Sequence, residues 1–253
     1  MYYIVLDLEF NQDFSNMPVK EIRGTKYPFE IIQVGAVKLD FNFNVVDSFS
    51  RYVKPDIYNR INPFIEELTG ITSDQLMNEK LFPEIFHEFI EFVNDKDSIL
   101  CVWGMSDIKE LYRSAEYYNL NVDLLPRMFI NLQPHASQYF TMPKKTQLRL
   151  QHVVEMLNIP ITGNFHDALN DSFYTAEIFK KIFNNSIHPK IYDPSYVKIR
   201  TRPPKKIIDI DSLIRQFEKM YNRQMSEEEK SMIVLAYKMG KTNQFLKIDE
   251  HSN

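Results

Sequence analysis

The chain opens on Tyr2-Tyr3-Ile4-Val5-Leu6-Asp7-Leu8-Glu9-Phe10, a run that is apolar except for two acids. Read as a strand, it places Tyr2, Ile4, Leu6, Leu8 and Phe10 on one face and Tyr3, Val5, Asp7 and Glu9 on the other, because successive side chains alternate. Strands are also expected over residues 31–39 and 45–53, joined by the turn Asp40-Phe41-Asn42-Phe43-Asn44, which gives three antiparallel strands at the outset. Leu68-Thr69-Gly70-Ile71-Thr72 reads as a turn, and Pro83 starts a helix that runs to about residue 93. A fourth strand over 98–103 leads into a helix over 108–119, and 125–132 reads as a shorter fifth strand. Helices follow over 148–157 and 168–183; in the second, Leu169, Phe173, Ala176, Phe179 and Phe183 recur at helical spacing. Antiparallel strands followed by strands alternating with helices predict an α/β fold, with a mixed sheet of about five strands and helices on both faces.

The pattern changes over 189–206. Pro189, Pro194, Pro203 and Pro204 interrupt it, and Lys198, Arg200, Arg202, Lys205 and Lys206 make a basic linker. Beyond the linker, Ile210, Leu213, Ile214, Phe217, Met220 and Tyr221 form a helical stripe. Ser226-Glu227-Glu228-Glu229 opens a second helix that stops near Gly240. The organisation read is a main domain over 1–188, a linker over 189–206, and a C-terminal helical hairpin with its tail over 207–253. A hairpin this short holds no core of its own, so it is expected to pack on the main domain or to make a homodimer with a second copy.

Composition narrows the class. The chain has 253 residues, 44% hydrophobic and 25% charged, as in an ordinary globular protein with one sizeable core. No stretch reaches the ~18 apolar residues of a membrane span, so no membrane partner is expected. The amino terminus begins in a strand pattern without a leader, and the single cysteine, Cys101, excludes an internal disulfide; both point to a cytoplasmic protein. Cys101 lies in an apolar run and reads as core rather than as a nucleophile. A net charge of −4 argues against a basic body that coats nucleic acid. It leaves room for an enzyme that grips a few phosphates through metal ions and local basic patches.

The acids carry the chemistry. Asp7 and Glu9 point the same way with Cα atoms roughly 6.6 Å apart. Two like charges at ~4 Å repel by about 4 kcal/mol at an effective dielectric near 20, so a cation between them is an economical arrangement. The other reading is a solvated edge strand. Asp107 follows the fourth strand and precedes a helix, where open α/β sheets place their ligands. With Glu110 three residues on, Asp107 taken alone reads first as a helix cap with a capping-box partner. Asp167 reads as the cap of the last main-domain helix, which puts Asp171 on its first full turn and His166 on the loop leading in. Taken together, these carboxylates suit two divalent cations about 3.5–4 Å apart that clamp a scissile phosphate. Oxygen donors favour magnesium or manganese over zinc. A neutral histidine could take the proton from attacking water.

These residues resemble the DEDDh family of 3′–5′ exonucleases. Asp7-Leu8-Glu9-Phe10, Asp107 in Trp103-Gly104-Met105-Ser106-Asp107, and His166 to Asp171 match its three motifs in order. Glu30 to Val37 and Leu68 to Thr72 match further segments, and the similarity covers about residues 1–185. The Trp-Gly-x-x-Asp form is most similar to the branch holding histone-mRNA 3′-exonucleases and KapD-type proteins. The resemblance implies a ribonuclease H-like three-layer αβα fold, two Mg2+ (or Mn2+), and release of nucleoside 5′-monophosphates from single-stranded 3′ ends. It implies Asp7, Glu9 and Asp171 around one ion, Asp7 and Asp107 at the second, and His166 as general base. Glu9, Phe10 and His166 would touch the terminal nucleotide. Lys20, Arg23, Lys26, Lys144 and Lys145 are candidates for phosphate contacts, or ordinary surface charge. RNA is preferred over DNA on branch resemblance; a DNA-trimming repair enzyme and a catalytically silent binding scaffold are the competing readings.

Overall fold

β1 (Tyr3–Gln12) is the strand around which the sheet is assembled. The computed structural model describes residues 1–12, 29–58, 60–143, 145–194 and 208–241. It divides into two compact units, Met1–Val197 and Lys198–Asn253. In the first, β2 (Phe29–Leu39), β3 (Val45–Tyr52), β4 (Ile99–Val102), β5 (Met128–Asn131) and β6 (Lys190–Ile191) join β1 in the order β3-β2-β1-β4-β5-β6. β2 is antiparallel to β1 and β3, β4 is parallel to β1 and β5, and β6 closes the edge antiparallel to β5.

Helices cover both faces. α3 (Phe82–Val93) and α4 (Ser106–Tyr117) bury Phe82, Ile85, Phe86, Phe89, Ile108 and Leu111 against Ile4, Leu6 and Leu8. α5 (Leu132–Tyr139), α6 (Leu150–Met156) and α7 (Ala168–Ile182) bury Leu132, Val153, Val154, Ile178 and Phe179 against Tyr3 and Val5. The strict alternation along β1 thus feeds two cores, and the fold is the expected three-layer α/β arrangement with a mixed sheet. Cys101 is buried in the second core. Among the described residues no helix is long and apolar enough to cross a membrane.

Short helices are where the structure adds to the sequence pattern. α1 (Pro63–Thr69) and α2 (Ser73–Leu76) flank the expected turn at 68–72. Their apolar positions are too few to show a period, but their ends are chemically marked. Asn62 caps α1, Gly70 ends it at φ 73°, and Thr72 and Gln75 form a capping box on α2. Of the run expected as a fifth strand, only Met128–Asn131 pairs with β4; Asn131 then caps α5, whose first turn contains Pro134.

In the second unit, α8 (Ile210–Tyr221) is capped by Asp209. α9 (Glu227–Lys241) opens on reciprocal hydrogen bonds between Ser226 and Glu229. Leu213 and Phe217 of α8 line an apolar groove with Met232, Ile233, Ala236 and Tyr237 of α9. Lys20, Arg23, Lys26, Lys144 and the basic linker residues Lys198, Arg200, Arg202, Lys205 and Lys206 lie outside the described residues.

α7 is clamped to β2. A Cβ on Gly35 would lie 2.1 Å from the backbone carbonyl carbon of Ala168, so only glycine lets the helix start so close to the strand. Beside it, Ser172 Oγ donates to the Gly35 carbonyl at 2.9 Å. Gln33 donates to Asp167 Oδ2 at 2.9 Å and accepts from the Ala168 N–H at 3.1 Å. Gly35→Ala is therefore expected to lower stability by at least ~2 kcal/mol through overpacking, a fall in Tm of roughly 5 °C or more. Ser172→Ala, which loses one hydrogen bond, should cost about 1 kcal/mol. Thermal melts of the two variants check the ranking, and equal Tm values would show that α7 does not depend on this close approach.

Candidate active site

Pairing of β1 with β4 extends only from Tyr3↔Ile99 to Val5↔Cys101. Past that point the ladder between the two parallel strands ends, at their carboxyl ends, the place where α/β sheets bind ligands in a crevice. Asp7 and Glu9 lie on the stretch of β1 beyond the end of this ladder, on the face that α7 covers. Opposite Glu9 the register with β2 slips: Glu9 pairs with Gln33 and Phe10 with Ile31, leaving Ile32 as an extra residue. A bulge at this place re-aims the side chains of both strands.

Two helix starts supply the other acids. Gly104, at φ 104°, turns the chain after β4 so that α4 begins at Ser106. Asp107 is therefore the second residue of the helix rather than its cap. The capping position falls to Met105, with no side-chain cap hydrogen bond, and Glu110 pairs with Arg113 at 2.7 Å instead. The capping-box alternative for Asp107 is thereby removed, and its carboxylate is buried, held by its own N–H and that of Leu8. On α7 the expected cap does form, Asp167 accepting from the Asn170 N–H at 3.0 Å. Asp171 follows in the first turn, buried.

Ligand atoms of Glu9, His166 and Asp171 lie within 4.8 Å of one another. Asp7 and Asp107 are outside that tight group and meet it through their charge. Asp107 is the strongest charged influence on Asp7, followed by Asp171 and Glu9. His166 is exposed on the loop before α7 with φ 63°, and its N–H donates to Asp171 Oδ2 at 3.1 Å. The second oxygen, Asp171 Oδ1, is buried with no hydrogen-bond partner among the described residues. A buried carboxylate oxygen without a donor costs about 1–3 kcal/mol or more, a cost that a cation would remove. The carboxylates of this donor set fit a hard divalent ion, and the neutral imidazole beside them fits a proton acceptor.

Electrostatics point the same way. Burial, reinforced by Asp107, Asp171 and Glu9, raises Asp7 well above the usual carboxylate range. Burial and then Asp171 and Asp107 raise Glu9 to about 8. Asp107 is raised to about 7 by burial, although its own N–H and that of Leu8 pull it back. Asp171 is raised to about 6 by burial, against the His166 N–H. Burial lowers His166, which keeps the ring neutral near pH 7.

Phe10 is half-buried beside Glu9, its ring centroid 5.9 Å from that of Phe29. Lys145 is exposed. Gln33 and Asp167 were not singled out in the sequence as site-forming. Together they fix the start of α7 against β2 opposite Glu9; the sequence signal of Gln33 is a polar residue inside an apolar strand, and that of Asp167 is its helix-capping position. Glu30 and Asn11 tie β2 and β1 to the segment before α1. Glu30 is buried and accepts the backbone N–H groups of Asp56, Ile57 and Tyr58. Asn11 bridges the Arg60 carbonyl and the Asn62 N–H at 2.9 Å each.

A family model described as "Exonuclease" (RNase_T) matches residues 4–179. The chain is 24% identical over 200 residues to 3′-5′ exoribonuclease 1 of Rattus norvegicus, covering 75% of this chain and 55% of that protein. It is 24% identical over 215 residues to the probable 3′-5′ exonuclease KapD of Bacillus subtilis, covering 84% and 96%. The chain thus spans about half the length of the exoribonuclease and nearly all of KapD. Among solved structures, the nuclease domain of 3′hExo, a DEDDh family member bound to rAMP, shares the fold at a TM-score of 0.63 and 23% identity. That match covers 76% of this chain and 96% of that one.

The raised carboxylates set a pH dependence. Between its ordinary value and its raised one, each folded carboxyl holds a proton that the unfolded chain releases. Their contribution to stability is present below about pH 4 and is lost as pH rises through about 6, 7 and 8 for Asp171, Asp107 and Glu9. In EDTA, Tm should fall between about pH 5 and pH 8. Millimolar magnesium should raise it, and more at the higher pH, because ions bind the deprotonated acids. A magnesium gain independent of pH would contradict this account of the crevice.

Proposed function

Because the chain belongs to the exonuclease family across residues 4–179, we propose that it is a metal-dependent 3′–5′ exonuclease acting on single-stranded nucleic acid. It trims the 3′ end to nucleoside 5′-monophosphates, RNA in preference to DNA. The observation that carries this reading is the convergence of Glu9, His166 and Asp171 within 4.8 Å at a crevice whose remaining acids are Asp7 and Asp107. The exoribonuclease name of the rat relative favours RNA.

Two Mg2+ or Mn2+ ions are the proposed cofactors, Asp7, Glu9 and Asp171 holding one and Asp7 with Asp107 the other. When bound, such ions clamp the scissile phosphate and make water a stronger nucleophile. The chain's own residues do the rest. His166, kept neutral by its surroundings, accepts the proton of the attacking water, and its exposed position lets that proton leave to solvent. Glu9 and Phe10, on opposite faces of the end of β1, border the terminal nucleotide, Phe10 offering a ring for its base or sugar. Lys145, exposed at the surface, is a candidate to meet a phosphate. The α8–α9 hairpin is the proposed surface for a homodimer, and the cytoplasm the proposed compartment.

Matched end-labelled RNA and DNA oligonucleotides, each with a 3′-blocked control, test the reading in magnesium. Wild type should shorten both from the 3′ end, RNA faster, and leave the blocked strands intact. Asp7→Ala and Asp171→Ala should each lower the rate by about 1000-fold, equivalent to ~4 kcal/mol of lost transition-state stabilisation. The same preparation should sediment at twice 30.1 kDa. Digestion that persists in both variants would end the assignment of these acids.

A further inference from the structure

The loop that delivers His166 is tied down by a side chain that has no part in the proposed chemistry. Residues 161–166 belong to no regular element, and His166 itself adopts φ 63°, an uncommon conformation for a residue with a side chain. A loop of this kind holds its shape only through the partners of its backbone groups. Its main partner is Tyr174, one turn beyond Asp171 on α7 and 3% exposed. The Tyr174 hydroxyl accepts the Thr162 N–H at 3.1 Å and the Gly163 N–H at 2.8 Å, and donates to the Gly163 carbonyl at 2.7 Å. One donor and two acceptors exhaust what a phenol offers. The Tyr174 ring lies 4.8 Å from that of Phe165, the residue before His166.

Asn170 closes the loop from the other side, donating Nδ2 to the Asn164 carbonyl at 3.1 Å. Gly163 is held between the two, since a Cβ there would lie 2.5 Å from Asn170 Nδ2. A tyrosine recruited only to fill the core would need one partner for its hydroxyl, and Tyr174 instead engages consecutive backbone groups of one loop. The same helix therefore carries an acid of the crevice and the latch for the histidine that stands over it.

We propose that Tyr174 is a positioning residue whose hydroxyl latches loop 161–166 to α7 and so sets His166 over Glu9 and Asp171. The proposal rests on His166 being the general base. Its effect belongs on the chemical step: a base misplaced by an ångström can lose about 100-fold in rate, whereas the acids that hold metal stay where they are.

Wild type, Tyr174→Phe and His166→Ala are compared on one 3′-end-labelled RNA oligonucleotide with magnesium. Manganese affinity and amide exchange are measured on the same proteins. Tyr174→Phe keeps the ring and should lower kcat about 10-fold with KM within ~2-fold, a smaller loss than the ~100-fold expected for His166→Ala. Its manganese affinity should match wild type, while exchange at Thr162 and Gly163 speeds up about 10-fold. A wild-type kcat in Tyr174→Phe alongside an impaired His166→Ala would overturn the latch. So would a kcat loss matched by an equal loss of manganese affinity, which would mean general damage to α7. An unimpaired His166→Ala would instead remove the base assignment, and the latch's catalytic role with it. Should Tyr174→Phe not fold, Asn170→Ala loosens the other side of the loop and must show the same loss confined to kcat; without that loss the proposal falls.

Discussion

Carboxylates crowded into one desolvated crevice repel one another and resent burial, and most of the architecture of the first unit can be read as what makes that crowding tolerable. Asp7 and Glu9 cannot retreat, because they are fixed on a central strand whose neighbouring side chains are locked into two cores. Asp107 and Asp171 arrive from helices on opposite faces, and each lies in the first turn of its helix. The positive end of a helix dipole favours an anion there by about 0.3–1 kcal/mol, and backbone N–H groups of Leu8 and His166 add to this. These effects are too small to win. Asp7, Glu9, Asp107 and Asp171 all remain raised, burial being the largest cause for each. What is still missing from the balance is positive charge, and a divalent ion supplies it most directly.

Placement of α7 is the second constraint, because one helix serves several purposes. Gly35 admits it against β2, while Gln33 and Ser172 fasten it. Asp171 on its first turn faces the acids of β1, and Tyr174 a turn later reaches back to the loop of His166. An error in seating this helix would move an acid and the histidine together. The bulge between Glu9 and Phe10 makes the matching adjustment on the strand side.

Much of this was legible in the chain. Period-two alternation along β1 and turn-bounded runs for β2 to β4 placed these strands within a few residues, and the 3.6-residue spacing of Ala176 and Phe179 marked α7. The candidate site residues stand out because acids in an apolar strand and at helix starts break the pattern around them. What escaped was set by contacts distant in sequence or by elements too short to show a period. α1 and α2 are built from caps, and α5 follows the last residue of β5 with no intervening loop, Pro134 in its first turn being a faint mark of the change. Asp107 looked like a cap because the turn at Gly104, which starts the helix before it, has no signature beyond a glycine. Gln33 and Tyr174 act on residues far along the chain or in an irregular loop, and neither pattern nor spacing reveals such a partner.

The claim beneath all of this is that the acids are gathered to bind divalent cations. Titration calorimetry with manganese near neutral pH, on wild type and on Asp7→Asn, tests it most directly. Asp7→Asn removes the charge that both proposed ions share while keeping the size of the side chain. The account predicts two manganese ions bound to wild type and a severe loss of both in the variant. No uptake by the wild type at millimolar manganese, or uptake unchanged in Asp7→Asn, would contradict it.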